Sequence, residues 1–489
     1  MVTAVDSSTS TTQVQAQTPA APPVNASKVD DAVSRIKDLT GDDGFLGTGR
    51  NDHMHEARDI LSGKTGLSQA EVDQVVSKLS SDDLHALADD INAGGIWGHQ
   101  GLSSDEKKDL FNALAGALDG AQLARLSSAF GGRDDVIALG DSVGRFGSNA
   151  TKVEYVQAMA GRTTDQLNGD VNNYGSYTNI QFSDPDALAV GKAIAGLKGD
   201  AASVDAAINS LSDAQLRAVV QSGAERETHN VVSMGGASIS GSYQADTLAG
   251  VLDAVATGGN ADVKARVFAE GGKVLGEVAG SNSLFAPNVT AKEEAGQIRD
   301  SLQRIIDSDT VGVVRSLETN DRYGAALTNY VKETLAKGES GQKTVGEEIA
   351  RLQRGNDLSG SALDRINQNS NDYYPNAQSM GYFAGATQAA VSKLVSDQKG
   401  QAEVVGNIFK AAVGLATKGL DPVSSAAVGL YTDAAVKEAV DAFASGTSNL
   451  RDTFYELSFP RDPATKKPYE GPAERDYDSA LNRVLAANP

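Results

Sequence analysis

The chain has 489 residues, 40% of them hydrophobic and only 5% aromatic, with a formal charge of −21 from 43 basic and 64 acidic side chains. So long a chain exceeds one ordinary hydrophobic core, and so acidic a surface repels a phosphate backbone or an anionic membrane, which argues against a nucleic-acid partner. Cysteine is absent from the sequence, which excludes disulfides, thiolate nucleophiles and cysteine-ligated metals.

Residues 1–27 (MVTAVDSSTSTTQVQAQTPAAPPVNAS) carry a single charge, Asp6. They have neither the basic n-region nor the apolar h-region of a Sec signal peptide. Ser, Thr, Gln, Ala and Pro cannot bury enough apolar area to offset ordering entropy, so a disordered leader is expected. From Lys28 the pattern turns helical: Val29, Val33 and Ile36 share a stripe that ends at Gly41. After a glycine-rich turn over Gly44–Gly49, short amphipathic helices are predicted at Asn51–Leu61, Ser68–Leu79, Ser81–Ile91, Ser103–Leu118 and Gly120–Phe130. They are punctuated by Ser and Asp caps and by Gly stops. Ser103, Asp105 and Glu106 have the order of an N-cap followed by acidic first-turn residues.

An internal echo runs through this part. Leu118–Leu126 (LDGAQLARL) matches Leu211–Val219 (LSDAQLRAV) at an offset of 93, and Leu79–Leu87 carries a shorter version. Gly147–Ala150 matches Gly258–Ala261 at an offset of 111. The extra 18 residues are absorbed by the polar stretch around Thr228–Tyr243, so two related helical units are expected. Two polar segments stand out, 165–182 and 227–243. Rich in Gly, Asn, Ser and Tyr, the first reads as a long loop or small hairpin and the second as its counterpart, and both are candidate binding loops.

Beyond Asn282–Asn288 longer helices are predicted at Ala291–Ile306, Asp321–Leu335, Ser379–Val395, Gln401–Leu415 and Ser424–Phe443. Val404, Val405, Ile408, Phe409, Ala412, Val413 and Ala416 form a clean helical stripe. From Ser458 four prolines mark an irregular arm before a last short helix. The organisation is therefore all-α: leader 1–27, repeat-like helical region 28–280, longer-helix bundle 290–457, and a Pro-containing arm with a short helix over 458–489.

Several clusters suggest chemistry, and each has a plainer reading. Asn51–Glu56 (NDHMHE) contains metal-ligand types, but the HExxH spacing is missing and a capped helix start explains the same letters. Asp90–Trp97 begins like a calcium loop, yet positions 5 and 9 are Gly94 and Gly98 and position 12 is Gly101, where a bidentate Glu is needed. It reads as a helix–helix turn with Trp97 as anchor. Ser238 and Ser240, near His229, are not in a GxSxG elbow. The acidic pairs Asp42-Asp43, Asp89-Asp90, Glu293-Glu294 and Glu347-Glu348 read as solvated faces rather than glycosidase dyads. No Walker loop or dinucleotide fingerprint occurs. No catalytic, cofactor-binding or metal-ligating residue is assigned, and no cofactor is expected.

The segments LSSDDLHALADDINAGG, GLSSDEKKDLFNALAGALDGAQLARLSSAF and SMGYFAGATQAAVSKLVSDQKGQAEVVGNIFKAAVGLA resemble helical modules of large secreted effector or toxin-like proteins of Gram-negative bacteria. The resemblance spans roughly residues 65–445 and rests on helix-and-turn phrasing, so it carries over no catalytic residue. It implies a secreted virulence effector, exported without a Sec signal by a contact-dependent route. Such an effector acts through a protein partner (a host or competitor target, or a secretion chaperone) or helps delivery. Two alternatives accompany it. One is a membrane-perturbing toxin using a 404–443 helical hairpin, which Lys410, Lys418, Asp433, Lys437 and Glu438 make expensive to insert. The other is an enzyme with an unfamiliar site at the two polar segments.

Overall fold

A computed structural model of the chain describes residues 24–40, 49–94, 100–173, 177–233, 236–280, 291–358, 377–416, 433–458 and 472–488. The first eight helices are α1 (Ala26–Leu39), α2 (Arg50–Leu61), α3 (Gln69–Lys78), α4 (Ser81–Asn92), α5 (Ser104–Ala117), α6 (Gly120–Phe130), α7 (Arg133–Phe146) and α8 (Asn149–Met159). Strands β1 (Asn168–Asn173) and β2 (Tyr177–Phe182) follow, then α9 (Pro185–Ala195), α10 (Ala201–Asn209) and α11 (Asp213–Ser222). Strands β3 (Glu227–Ser233) and β4 (Gly236–Ser242) lead into α12 (Asp246–Gly258) and α13 (Ala261–Gly280). The remainder comprises α14 (Lys292–Ser308), α15 (Thr310–Glu318), α16 (Gly324–Leu335), α17 (Glu339–Arg354), α18 (Ala377–Leu394), α19 (Gln398–Ala416), α20 (Asp433–Ala444), α21 (Leu450–Ser458) and α22 (Pro472–Ala486). The chain is all-α with one small sheet.

Local sequence sets these helix starts. Ser68, Ser80, Ser103 and Ser212 each accept from the backbone N–H three residues on, while the side chain there (Glu71, Asp83, Glu106, Gln215) returns the bond. These reciprocal caps satisfy two otherwise orphaned donors at each start. The first helix begins at Ala26, two residues before the helical start expected at Lys28. Asn25 is the cause: its side chain accepts from the N–H groups of Ser27 and Lys28, and its own N–H donates to Glu71 at 2.9 Å. Asn25→Ala is expected to lower the unfolding free energy by about 1 kcal/mol, measured by urea titration; an unchanged midpoint would show that the cap contributes nothing. The rest of the leader, residues 1–23, lies outside the described residues.

The helices stack in two rows. In one, α1 packs on α3, α3 on α5, α5 on α7, α7 on α9, α9 on α12 and α12 on α14. In the other, α4 packs on α6, α6 on α8 and α8 on α10, while α11 packs on α13 and α13 on α15. Such a stack buries a continuous core because no single helical pair could cover its own apolar face. Polar ties repeat with the same stride. The Asp119 N–H donates to Asp73 (3.1 Å), Asn149 to Asp200 (2.7 Å), Lys152 to the Gly196 carbonyl (2.8 Å) and the Asn260 N–H to Asp205 (2.8 Å), across 44 to 55 residues of chain. The matched stretches occupy matching places: Leu118–Leu126 and Leu211–Val219 open α6 and α11, and Gly147–Ala150 and Gly258–Ala261 enter α8 and α13.

Small residues let the rows close. A Cβ on Gly140 of α7 would stand 2.5 Å from Ala189 Cα on α9, and one on Gly144 would meet the Lys192 carbonyl at 2.4 Å. Backbones this near leave no room for a side chain, and Ala and Gly do here what larger residues do in wider interfaces.

From α14 onward the arrangement surrounds one helix. Tyr382, Phe383, Ala386, Ala390 and Val391 of α18 are all buried, and α18 touches α15, α16, α17, α19, α21 and α22. A helix apolar on every side belongs at the centre. The main cluster of buried side chains runs from Val29 to Val484, with Ala350 and Ala416 in a small second one, so the core extends from the first helices to the last. The ending departs from expectation. The last helix, α22, is not a short appendage: its 15 residues bury Tyr477, Ala480, Leu481 and Val484 against α18. The Pro-rich stretch 459–471 lies outside the described residues, as do 417–432, where the expected helix from Ser424 begins; its described part is α20.

Candidate functional site

The two polar segments are hairpins, and they meet. β1 pairs with β2, β2 with β3 and β3 with β4, all antiparallel, giving one four-stranded sheet from two excursions that leave the helical stack at different points. The central register sets Ile180 opposite His229 and Phe182 opposite Glu227. His229 in turn stands opposite Ser240. The pairing across β2 and β3 could not be read from either segment alone, because it joins strands separated by three helices. Alternation was also obscured, since Asn, Gly and Ser occupy positions that a half-buried strand normally gives to apolar residues.

The bases of the hairpins are clamped together and to the helices. The Ser183 N–H donates to the Arg226 carbonyl (2.9 Å), and the Arg226 N–H returns a bond to Ser183 Oγ (2.8 Å). Asp184 caps α9 ahead of Pro185 and accepts from the Thr164 N–H at 2.8 Å. Arg162 forks onto Asp186 at 2.9 and 3.1 Å. Arg133, from the start of α7, lies 4.8 Å over the Phe182 ring and donates to the Ser183 carbonyl. Burial pushes the carboxyls of Asp184 and Asp186 up, against the pull of Arg162 and the backbone donors. Two acids raised by burial therefore sit together at the root of the polar loop pair, a setting in which functional groups are often found.

The turn into β3 is strained. Glu225 has φ +43°, a left-handed conformation costly for a residue with a Cβ. Its carboxylate is held by Thr247 Oγ1 at 2.7 Å. Beside it, under the sheet, an open cleft of about 60 Å³ is lined by Asp165, Gln221, Arg226, Tyr243, Val274 and Glu277, among others.

The clusters singled out in the sequence resolve differently. The Asn51–Glu56 residues turn to separate partners: His55 Nε2 approaches Glu106 at 2.9 Å, while Glu56 takes a two-point bond from Arg35 at 2.6 and 2.7 Å. Among the described residues no three His, Asp or Glu side chains gather as a metal would require. Asp90 pairs with Arg50 at 3.1 Å, and Trp97 lies outside the described residues, as do Asp42 and Asp43. The reading of Glu347-Glu348 as a solvated face needs correction. Glu347 faces Lys343 on the surface, but Glu348 is fully buried and accepts from the Tyr330 hydroxyl at 2.5 Å. The helical period turns adjacent residues about 100° apart, so a pair of identical letters can point to opposite environments. The apolar stripe of α19 is buried throughout Val405, Ile408, Phe409, Ala412, Val413 and Ala416. Among the described residues no helix is long and apolar enough to cross a membrane.

No protein-family model matches the chain, and no curated protein matches its sequence.

Proposed function

We propose that the protein is a secreted bacterial effector that works by holding a protein partner, with the four-stranded sheet and the helices at its root as the gripping surface. The supporting observation is the assembly of that sheet. Two polar excursions separated by three helices are ordered against each other by backbone pairing, at the entropic cost of fixing their backbones. Long ordered excursions on a rigid helical scaffold are commonly where binding resides. A stacked helical protein supplies the other requirement, an extended surface along which a large partner can lie. The partner is a host or competitor protein, or a secretion chaperone, and the acidic surface favours one with a basic face.

The test replaces residues 169–181 and 229–241 of the full chain with Gly-Ser linkers of equal length. Helical circular dichroism is expected to persist, because those residues lie outside the helices, while partners crosslinked by the wild type in recipient cells are expected to be lost. Recovery of the same partners by the variant would refute the sheet as the gripping surface. A reporter fused to the chain that never appears outside the producing cell would refute secretion.

A further inference from the structure

The cleft under the sheet brings opposite charges together without joining them. Arg226 and Glu277 both line it, yet neither side chain makes an ion pair or hydrogen bond among the described residues. Arg226 contributes only its backbone, to Ser183. The hydroxyl of Tyr243, a half-buried side chain, and the amide of Gln221 are likewise without hydrogen-bond partners among the described residues. The Arg226 and Glu277 side chains are exposed. Among the described residues Arg125 and Arg133 likewise reach no carboxylate, bonding backbone carbonyls and an amide instead, whereas other arginines do. Arg35, Arg58, Arg162, Arg266, Arg304 and Arg451 each reach a carboxylate within 3.2 Å. Glu270, two turns before Glu277 on α13, is paired with Lys273 at 2.8 Å. Opposite charges left apart around one concavity leave room for a group that satisfies both.

We propose that this cleft binds a small zwitterion of the free amino-acid type. Its carboxylate meets the Arg226 guanidinium and its ammonium group meets Glu277, with Asp165 at the mouth and the Tyr243 hydroxyl and Gln221 amide supplying the remaining polar contacts. A lone anion would leave Glu277 unmatched, and a lone cation would be repelled by Arg226. A guanidinium suits a carboxylate because its planar fork can donate two parallel bonds. Val274, on the α13 wall, offers apolar contact to a short side chain. The strained turn at Glu225 directly precedes Arg226 and fixes where its side chain starts. A site of this kind does not depend on the partner-gripping role, since it is filled by a free small molecule.

The test uses the full chain in 150 mM salt, about physiological strength, so that loose surface attraction is screened. Glycine, L-glutamine and L-lysine are titrated calorimetrically beside acetate and ethylammonium, each of which carries one of the two charges. At least one amino acid is expected to bind and to raise the thermal midpoint, while neither single-charge probe does. Arg226→Gln and Glu277→Gln should each weaken that binding by at least about tenfold. Both side chains are exposed and make no hydrogen bond or close ion pair among the described residues, so both variants should keep the wild-type midpoint without ligand. Absence of binding by all three amino acids overturns the proposal, as does binding of acetate as tight as glycine, which would mark an anion site alone. Binding that survives both substitutions would place the ligand elsewhere and also overturn it.

Discussion

Phe409→Ala is expected to lower the unfolding free energy by about 3–5 kcal/mol, the range for emptying a well-packed aromatic site. Phe409 is fully buried. Its ring meets Phe454 of α21 edge to face, with centroids 5.4 Å apart and planes at 67°, so truncation removes a favourable ring contact as well as apolar burial. The surroundings have little freedom to collapse into the gap. On the neighbouring helix α17, a Cβ on Gly346 would already stand 2.4 Å from the Ile408 carbonyl, so the α17–α19 interface is at backbone contact. The same substitution separates a core role from a membrane role for the 404–443 segment. A hairpin held loosely for insertion would lose membrane activity while its soluble fold hardly changed. Urea unfolding followed by circular dichroism, run beside dye release from liposomes, gives both readouts. A wild-type midpoint together with lost dye release would reject the core role.

How far the sequence revealed this arrangement depends on how local each determinant is. Ser68–Leu79 and Gly120–Phe130 could be bounded closely because caps and stops are written within four residues of the helix end. The stripe from Val404 to Ala416 was legible because its period is that of the helix and its apolar residues face one way. α18, spanning Ala377–Leu394, was legible as a helix at Ser379–Val395, but its central place was not: with Gly, Ala and Thr buried on all sides, it lacks a polar face to contrast with. The depth of α22 was hidden for a different reason. Its tight fit arises from glycines on α18, where a Cβ on Gly381 would stand 2.1 Å from the Tyr477 carbonyl, and these partners are nearly a hundred residues apart. At the candidate site the two polar segments were visible as anomalies, but not their union. Ser183 and Arg226, which tie the hairpins together, do so through backbone groups and a hydroxyl, which leave no pattern in composition or charge.

Glu348→Gln is expected to abolish a fall in stability that the wild-type protein shows between pH 5 and pH 8. The Glu348 carboxyl is fully enclosed, and burial raises its pKa from 4.5 to about 8, outweighing the Tyr330 hydrogen bond, which favours the charged form. Among the charged groups around it, Asp307 on α14 and Glu347 on α17 raise the value further, and Arg351 on α17 lowers it. Below pH 4.5 the folded and unfolded chains both hold this proton, so the carboxyl contributes no pH dependence. As pH rises above 4.5 the unfolded chain releases the proton while the folded chain keeps it, and the unfolded state gains about 1.4 kcal/mol per pH unit. The loss is about 3 kcal/mol between pH 5 and pH 7 and levels off above about 8, where the folded chain ionises too. Gln keeps an acceptor for the Tyr330 hydroxyl and cannot ionise. Its amide replaces Glu348 Oε2, which has no hydrogen-bond partner, so the variant trades one unsatisfied polar atom for another at nearly constant volume. The curves of stability against pH should therefore diverge steadily from pH 5 upward, with the variant gaining on the wild type by about 3 kcal/mol at pH 7 relative to pH 5. Urea midpoints measured at half-unit intervals decide it. Parallel curves would mean that Glu348 ionises in the folded state as readily as in the unfolded one, and that water reaches a carboxyl which the packing of α16 on α17 encloses.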